Sequence, residues 1–392
     1  MVLYKPNAAK NHQNSAENQG RIATGACGRG PICRMSDPLF DFAVFGSTPT
    51  AQLLAGLLAG EHAKKVLLVG HSRAGYRLPR GIDLSVAPIT RPRSWSILTQ
   101  TAPEAARFVS RIAGRSAVSR TDPVFFAQEP HATEALSHIR HMANGFGIAA
   151  EPVSQSVLGG NRSGIILRDA LKLNRPQLET ELERWLASRS VLRPTPSSVT
   201  IGNDGGVELE SQDALLGARQ AVLADDEAIM RWLPLRQWPT LLRRVPSTSI
   251  LTTPTRPLAA SIMHELDSGL FLTQQIEGGI AAYGPGEQAD FSEHLRALLG
   301  QDRRVEQAGQ TSFAALATKD GAPAFGRAAG LGADVVAATG SYGAFIVPAL
   351  ARWLAGEASS EEAHWFDLHL VNREGQSKRV DEFSWPAKSL TA

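Results

Sequence analysis

Cysteine is nearly missing from this chain. The two present, Cys27 and Cys33, both precede the first strand signal, so a disulfide framework is excluded and a reducing, cytoplasmic setting is expected. Charge of one sign is missing too: the formal net charge is +2 over 392 residues, with both signs interspersed, which gives no case for nucleic acid or an anionic membrane. No apolar run reaches the roughly 18 to 20 residues of a membrane span. Metal-ligand spacing is absent as well. His131, His138 and His141 lie near one another but have no acidic or cysteine partner at ligand spacing, so no metal is expected. What remains is an ordinary globular composition, 43% hydrophobic and 20% charged, long enough for two packed domains.

Residues 1–36 differ from the rest. They are rich in Asn, Gln, Ala, Gly and basic residues, carry one acid, Glu17, and lack the apolar core of a secretory signal. A disordered tail is expected there, with Met35 as an alternative start of the chain.

The chain is organised around residues 40–70. Asp41 to Phe45 reads as a strand running into Gly46, and Leu53, Leu54, Leu57 and Leu58 then recur at helical spacing. Val66 to Val69 reads as a second buried strand. A strand, a glycine turn, a helix and a parallel strand in about 30 residues predict a dinucleotide-binding βαβ unit, with the helix start facing a pyrophosphate. The three positions of the usual glycine fingerprint are Gly46, Thr48 and Ala51. Threonine at the middle position crowds a pyrophosphate, so the hydroxyls of Ser47, Thr48 and Thr50 are expected to donate to phosphate oxygens instead. Gly70 and His71 stand where an acid would hold a ribose. The loop over 71–98 carries five arginines from Arg73 to Arg93, and Arg77, Arg80 and the backbone near Gly81 are expected to clamp phosphates or flavin edges.

Further on, helices are predicted over 103–113, 131–145, Arg175 to Ser188 and Asp290 to Leu299, with strands around a turn at Asn203–Gly206 and a return strand from Ala218 to Ala224. Short strands at Ser249–Thr253, Ala260–His264, Leu270–Gln274 and Gly279–Tyr283 suggest an antiparallel sheet roofing a substrate cavity. Residues 320–356 give a turn, a strand from Val335 to Ala338, a glycine loop and an apolar helix, a second strand–glycine–helix junction.

Three features together carry a resemblance. They are the opening strand and turn, the RPQLETELERWL helix with its hairpin, and the C-terminal motif Asp320, Gly321, Pro323 and Gly326 followed by Ala338-Thr339-Gly340-Ser341-Tyr342-Gly343 and Pro348. Over Phe40 to Gly356 the chain resembles the D-amino-acid-oxidase-like superfamily of FAD-dependent oxidoreductases. The resemblance implies an α/β fold with a discontinuous Rossmann-like FAD-binding domain and a second, antiparallel-sheet substrate domain. The expected division is a tail at 1–36, FAD-binding parts at 37–100, 175–244 and 320–357, a mixed helical segment at 101–174, a cap at 245–319 and a C-terminal extension at 358–392. It also implies FAD, held noncovalently because no cysteine lies beyond residue 33. The cofactor-binding roles fall to Gly46, Ser47, Thr48, Thr50, Ala51, Gly70, His71, Arg77, Gly81, Gly326, Gly340, Ser341, Tyr342, Gly343 and Ala344. The implied activity is oxidation of a C–N bond of a small amine or amino-acid derivative, with His264, Tyr283 and Arg256 on the roof as candidate cavity residues and Arg327 and Tyr342 expected near the flavin. The alternative is a divergent subunit that assists a protein partner. Departures from the family pattern motivate it: Thr48, the missing ribose acid, Ala224-Asp225-Asp226 in place of Ala-x-Gly, and Ala315 where an arginine often grips a substrate carboxylate.

Overall fold

A computed structural model describes residues 39–71, 77–211, 214–300, 303, 305–373 and 377–383. The expected tail, with Cys27, Cys33 and Met35, lies outside the described residues, as do Arg73 and residues 384–392. Among the described residues, no helix is long and apolar enough to cross a membrane.

The chain opens with β1 (Leu39–Phe45), α1 (Pro49–Gly60) and β2 (Val66–Val69). It continues through α2 (Pro92–Ala113), β3 (Val118–Thr121), β4 (Val124–Ala127), α3 (Pro130–Gly145), β5 (Ala150–Val153), α4 (Gln155–Leu158), β6 (Ser163–Leu167) and β7 (Ala170–Leu173). Then α5 (Arg175–Ser188), β8 (Ser198–Ile201), β9 (Val207–Glu210), β10 (Leu215–Leu223) and α6 (Asp226–Trp232) follow. Next come β11 (Leu242–Thr252), β12 (Ile262–Glu265), β13 (Leu270–Gln274), β14 (Ile280–Pro285), α7 (Gln288–Leu299) and β15 (Gln307–Thr318). The last elements are β16 (Ala324–Arg327), β17 (Asp334–Ala337), α8 (Gly343–Ala355) and α9 (Ser360–Leu368).

One sheet runs β16-β17-β10-β1-β2, with β9 added to β10 and β8 to β9. In it β2, β1, β10 and β17 are parallel, so their carboxyl ends lie on one edge. This is the discontinuous α/β sheet expected from the sequence, assembled from three distant stretches. Side chains alternate between its faces. Phe42, Val44, Val66 and Leu68 join a core with α1, α2, α5 and α8. Ala43, Phe45 and Leu67 pack on the other side against β9, α6 and parts of β11 and β15.

The second sheet has eight strands, in the order β15-β11-β14-β13-β12-β4-β6-β5. It is antiparallel except where β12 meets β4. Two expectations change here. The strand expected over Ser249–Thr253 begins at Leu242, because all of β11 pairs with β15. The helix expected over 103–113 begins at Pro92, so the arginine-rich loop ends before Arg93.

Helix α5 buries Leu178, Leu182 and Leu186, four residues apart and therefore on one face. Its Trp185 packs against α1 at Gly56, where an added Cβ would stand 2.0 Å from the Trp185 ring. Glycine to alanine inside a helix normally stabilises. Here the sign reverses: Gly56→Ala is expected to lower unfolding free energy by about 1–3 kcal/mol through overpacking, measured by urea melts.

Candidate active site

The carboxyl ends of β1, β2 and β10 converge on three residues: Gly46, Gly70 and Asp225. The Gly46 N–H donates to Val69 O at 3.1 Å. A Cβ on Gly70, whose φ is +144°, would stand 2.3 Å from Gly46 O, so no side chain fits at 70. A larger ribose-binding side chain is therefore excluded at 70, while His71 beside it is exposed.

The hydroxyl of Thr48, expected to donate to phosphate, caps α1 by accepting from Ala51 N at 3.4 Å, which leaves its O–H free to donate. The amides that a phosphate would need are taken as well. Ser47 N and Thr48 N donate to Asp225 Oδ2 at 2.7 and 3.2 Å. Asp225 is only 8% exposed, and its other oxygen caps α6 by accepting from Ala228 N at 2.8 Å. Burial raises its pKa, and the three amide donors offset that rise only in part.

The two acids after Asp225 are also engaged, one by a backbone amide and one by an arginine. Asp226 Oδ2 accepts from Leu316 N at 2.9 Å, and burial pushes its carboxyl up to about 7. Glu227 pairs with Arg77 at 3.1 Å, the arginine expected to clamp phosphate. Arg80 lies over the Phe313 ring at 4.9 Å. His71 is exposed, with its Nδ1 3.1 Å from Arg193 Nη2. At Gly81 the nearest atom to an added Cβ is Arg175 Nη2, 3.6 Å away, and Arg175 forms a two-bond pair with Asp83 at 2.5 and 3.1 Å.

The second junction lies beside the first. After β17, Ala338 holds a left-handed backbone (φ +54°), a strained conformation for a residue other than glycine. Gly340 (φ +56°) has open space around an added Cβ. A Cβ on Gly343 would meet Thr339 Oγ1 at 2.4 Å and Thr50 Oγ1 at 3.3 Å, so the starts of α1 and α8 converge at Thr50 and Gly343. Ser341 Oγ donates to Val86 O at 3.0 Å, and Leu84 N donates to Ser341 O at 2.8 Å. Tyr342 and Ala344 are buried beside them.

Gly326 and Arg327 are not part of this convergence. Strand β16 runs antiparallel to β17, so Arg327 pairs with Asp334 at the amino end of the parallel strands, away from Gly340. There Arg327 is exposed and donates to Gln220 Oε1 at 2.7 Å. Gly326 packs against Leu370 and Trp353. Arg327, expected near a flavin, therefore stands at the opposite end of the parallel strands from the Gly340 loop. Arg256 is exposed on the loop after β11, where its carbonyl accepts from Arg303.

His264 and Tyr283 are brought together. Register places Phe125, His264, Phe271, Tyr283 and Ser249 in one row across five strands of the second sheet, hence on one face. His264 stacks on Phe271 at 3.7 Å, and Phe271 on Tyr283 at 5.5 Å. Both His264 nitrogens and Tyr283 Oη are buried without a hydrogen-bond partner. Burial lowers the His264 pKa to about 3 and raises that of Tyr283, so both are neutral near pH 7. The segment from Pro79 to Val86 joins this row to the glycine loops: Ser249 Oγ donates to Pro79 O at 2.7 Å, and Leu84 and Val86 bond to Ser341.

The residues meet FAD unevenly. Near Gly340 the backbone is open and the row offers unpaired polar atoms, which fits a ligand. At the first turn the Asp225 carboxylate already holds the amides a diphosphate would use, so the turn is closed as it stands. Sequence reasoning noted Asp225 only as a departure. Two acids standing where Ala-x-Gly is usual were the available signal.

No protein-family model and no curated protein matches the sequence. Solved structures do match. L-proline dehydrogenase from P. horikoshii shares 13% identity at a TM-score of 0.66, over 86% of this chain and 98% of its own. NikD, described as an unusual amino acid oxidase essential for nikkomycin biosynthesis, shares 13% at 0.64, over 82% and 95%. Glycine oxidase from Bacillus cereus shares 14% at 0.60, over 86% and 99%. The likeness is one of fold: this chain shares the architecture of these three structures.

Proposed function

We propose that the chain is an FAD-dependent oxidoreductase acting on a C–N bond of a small amine or amino-acid derivative, with the cofactor held noncovalently. In this reading the parallel sheet is the cofactor domain and the face of the eight-stranded sheet is the substrate side. The observation that carries it is the pair of unpaired polar groups, His264 and Tyr283, on one buried row. Leaving a buried polar group unpaired costs about 1–3 kcal/mol, so two on one face point to a ligand that satisfies them. Both are neutral, Arg175 is already engaged by Asp83, and Ala315 replaces the usual carboxylate-gripping arginine. These residues therefore suit an uncharged amine or a derivatised amino acid better than a free carboxylate. His264 and Tyr283 would orient the amine, while Phe125 and Phe271 keep water away from it.

Anaerobic mixing of FAD-loaded protein with a panel of amines tests the reading. Bleaching near 450 nm is expected, and His264→Leu should slow it about tenfold or more without releasing flavin. An unchanged rate in that variant would remove His264 from the site.

A second reading, a flavin-fold subunit that assists a protein partner, is favoured by the closed first turn. A colourless protein that co-purifies with a partner, and takes up no FAD when Asp225 is replaced, would select it.

A further inference from the structure

We infer that Asp225 is a built-in competitor of the dinucleotide: its carboxylate occupies the anion position of the first glycine turn, so FAD enters only in exchange with it. The inference rests on the cofactor reading of that turn and names how the site is regulated.

The geometry is that of an anion bound at a helix start. Two consecutive amides leading into α1, those of Ser47 and of the N-cap Thr48, point at one oxygen, Asp225 Oδ2, 2.7 and 3.2 Å away. The oxygen also lies 2.9 Å from where a Cβ of Gly46 would stand, close against the turn itself. Amides at a helix start hold phosphate by these same bonds and by the positive end of the helix dipole. A buried carboxylate in that place satisfies both requirements and adds a negative charge that repels a second anion.

The groups around it are committed to the same end. Glu227 holds Arg77, a loop cation expected to reach phosphate, and Asp226 adds a further carboxyl on the amide of Leu316. Asp225 is also fixed from behind, through the bond from Ala228 N to Oδ1. The carboxylate is therefore held in place by both the turn and α6, and a diphosphate must displace it from the turn.

Serine separates the two roles of Asp225. Its hydroxyl is a good helix cap, so Asp225→Ser keeps the bond to Ala228 N while being too short to fill the turn. Calorimetric titrations of the full chain and of Asp225→Ser with FAD, ADP and riboflavin test the inference. The variant is expected to bind FAD and ADP at least about tenfold more tightly than the wild-type chain. Riboflavin, which has no phosphate, should show no such gain. Asp225→Asn removes the charge but keeps the plug, and should fall between the two. Circular dichroism melts confirm that each variant is folded. Equal FAD affinity in wild-type and Asp225→Ser proteins, or an equal gain for riboflavin, would overturn the inference while leaving the cofactor reading intact. If no protein in the set binds FAD or ADP, the cofactor reading falls, and this inference with it.

Discussion

Replacing Arg373 by methionine should remove about 3–5 kcal/mol of stability, the cost of leaving a buried charge without its partner. Arg373 and Asp320 are both nearly inaccessible, with side chains 2% and 4% exposed. Arg373 Nε and Nη2 donate to the two Asp320 oxygens at 2.9 and 2.8 Å. Its remaining N–H groups are used on the carbonyls of His369, Leu370 and Ala322. The pair thus ties the segment after α9 to the Asp-Gly-x-Pro turn, and a second tie, Glu382 N to Asp320 O at 2.9 Å, follows it. Urea melts of Arg373→Met should show the loss. The double variant Asp320→Leu/Arg373→Met should recover most of it, because no lone charge then remains buried. A single-variant loss below about 1 kcal/mol would mean that water reaches the pair and screens it.

Gly70→Val should be nearly as damaging, at about 4 kcal/mol from strain and overpacking combined. The new Cβ would stand 2.3 Å from Gly46 O and 2.8 Å from Gly46 C, which are backbone atoms and cannot swing aside. The φ of +144° adds strain for a β-branched residue. Gly340→Ala is the control. Its φ of +56° lies in the left-handed region, but nothing stands within 4 Å of the added carbon, so about 1 kcal/mol is expected. Thermal melts that rank the two variants in the opposite order would contradict the packing at the first turn.

These two sites also show what local sequence could and could not convey. Strand β1, helix α1 and helix α5 were legible because their apolar residues repeat with the period of one element. Gly46 and the junction at Gly340 were legible because a turn between a strand and a helix needs glycine locally. The direction of β16 was not legible. Nothing in Ala-Phe-Gly-Arg says that the strand runs against its neighbour and carries Arg327 to the far end of the sheet. Strands β4, β5 and β6 were also missed as parts of the second sheet, since their partners include β12, more than 100 residues later in the chain. The role of Asp225 is the clearest case. The sequence showed an acid out of place, but the bond to Ser47 spans 178 residues and exists only once β1 and β10 pair. Likewise Gly70 looked like a lost ribose ligand, whereas the packed turn shows that no larger residue fits there.

The most direct measurement mixes Asp225→Ser protein with one equivalent of FAD, passes it through a gel-filtration column, and reads the protein peak near 450 nm. A flavin-fold site closed only by its own carboxylate predicts that the variant elutes yellow while the wild-type chain, treated identically, keeps distinctly less flavin. A variant peak with no absorbance at 450 nm would contradict the account, because the turn at Gly46 would then not be a dinucleotide site even with Asp225 gone.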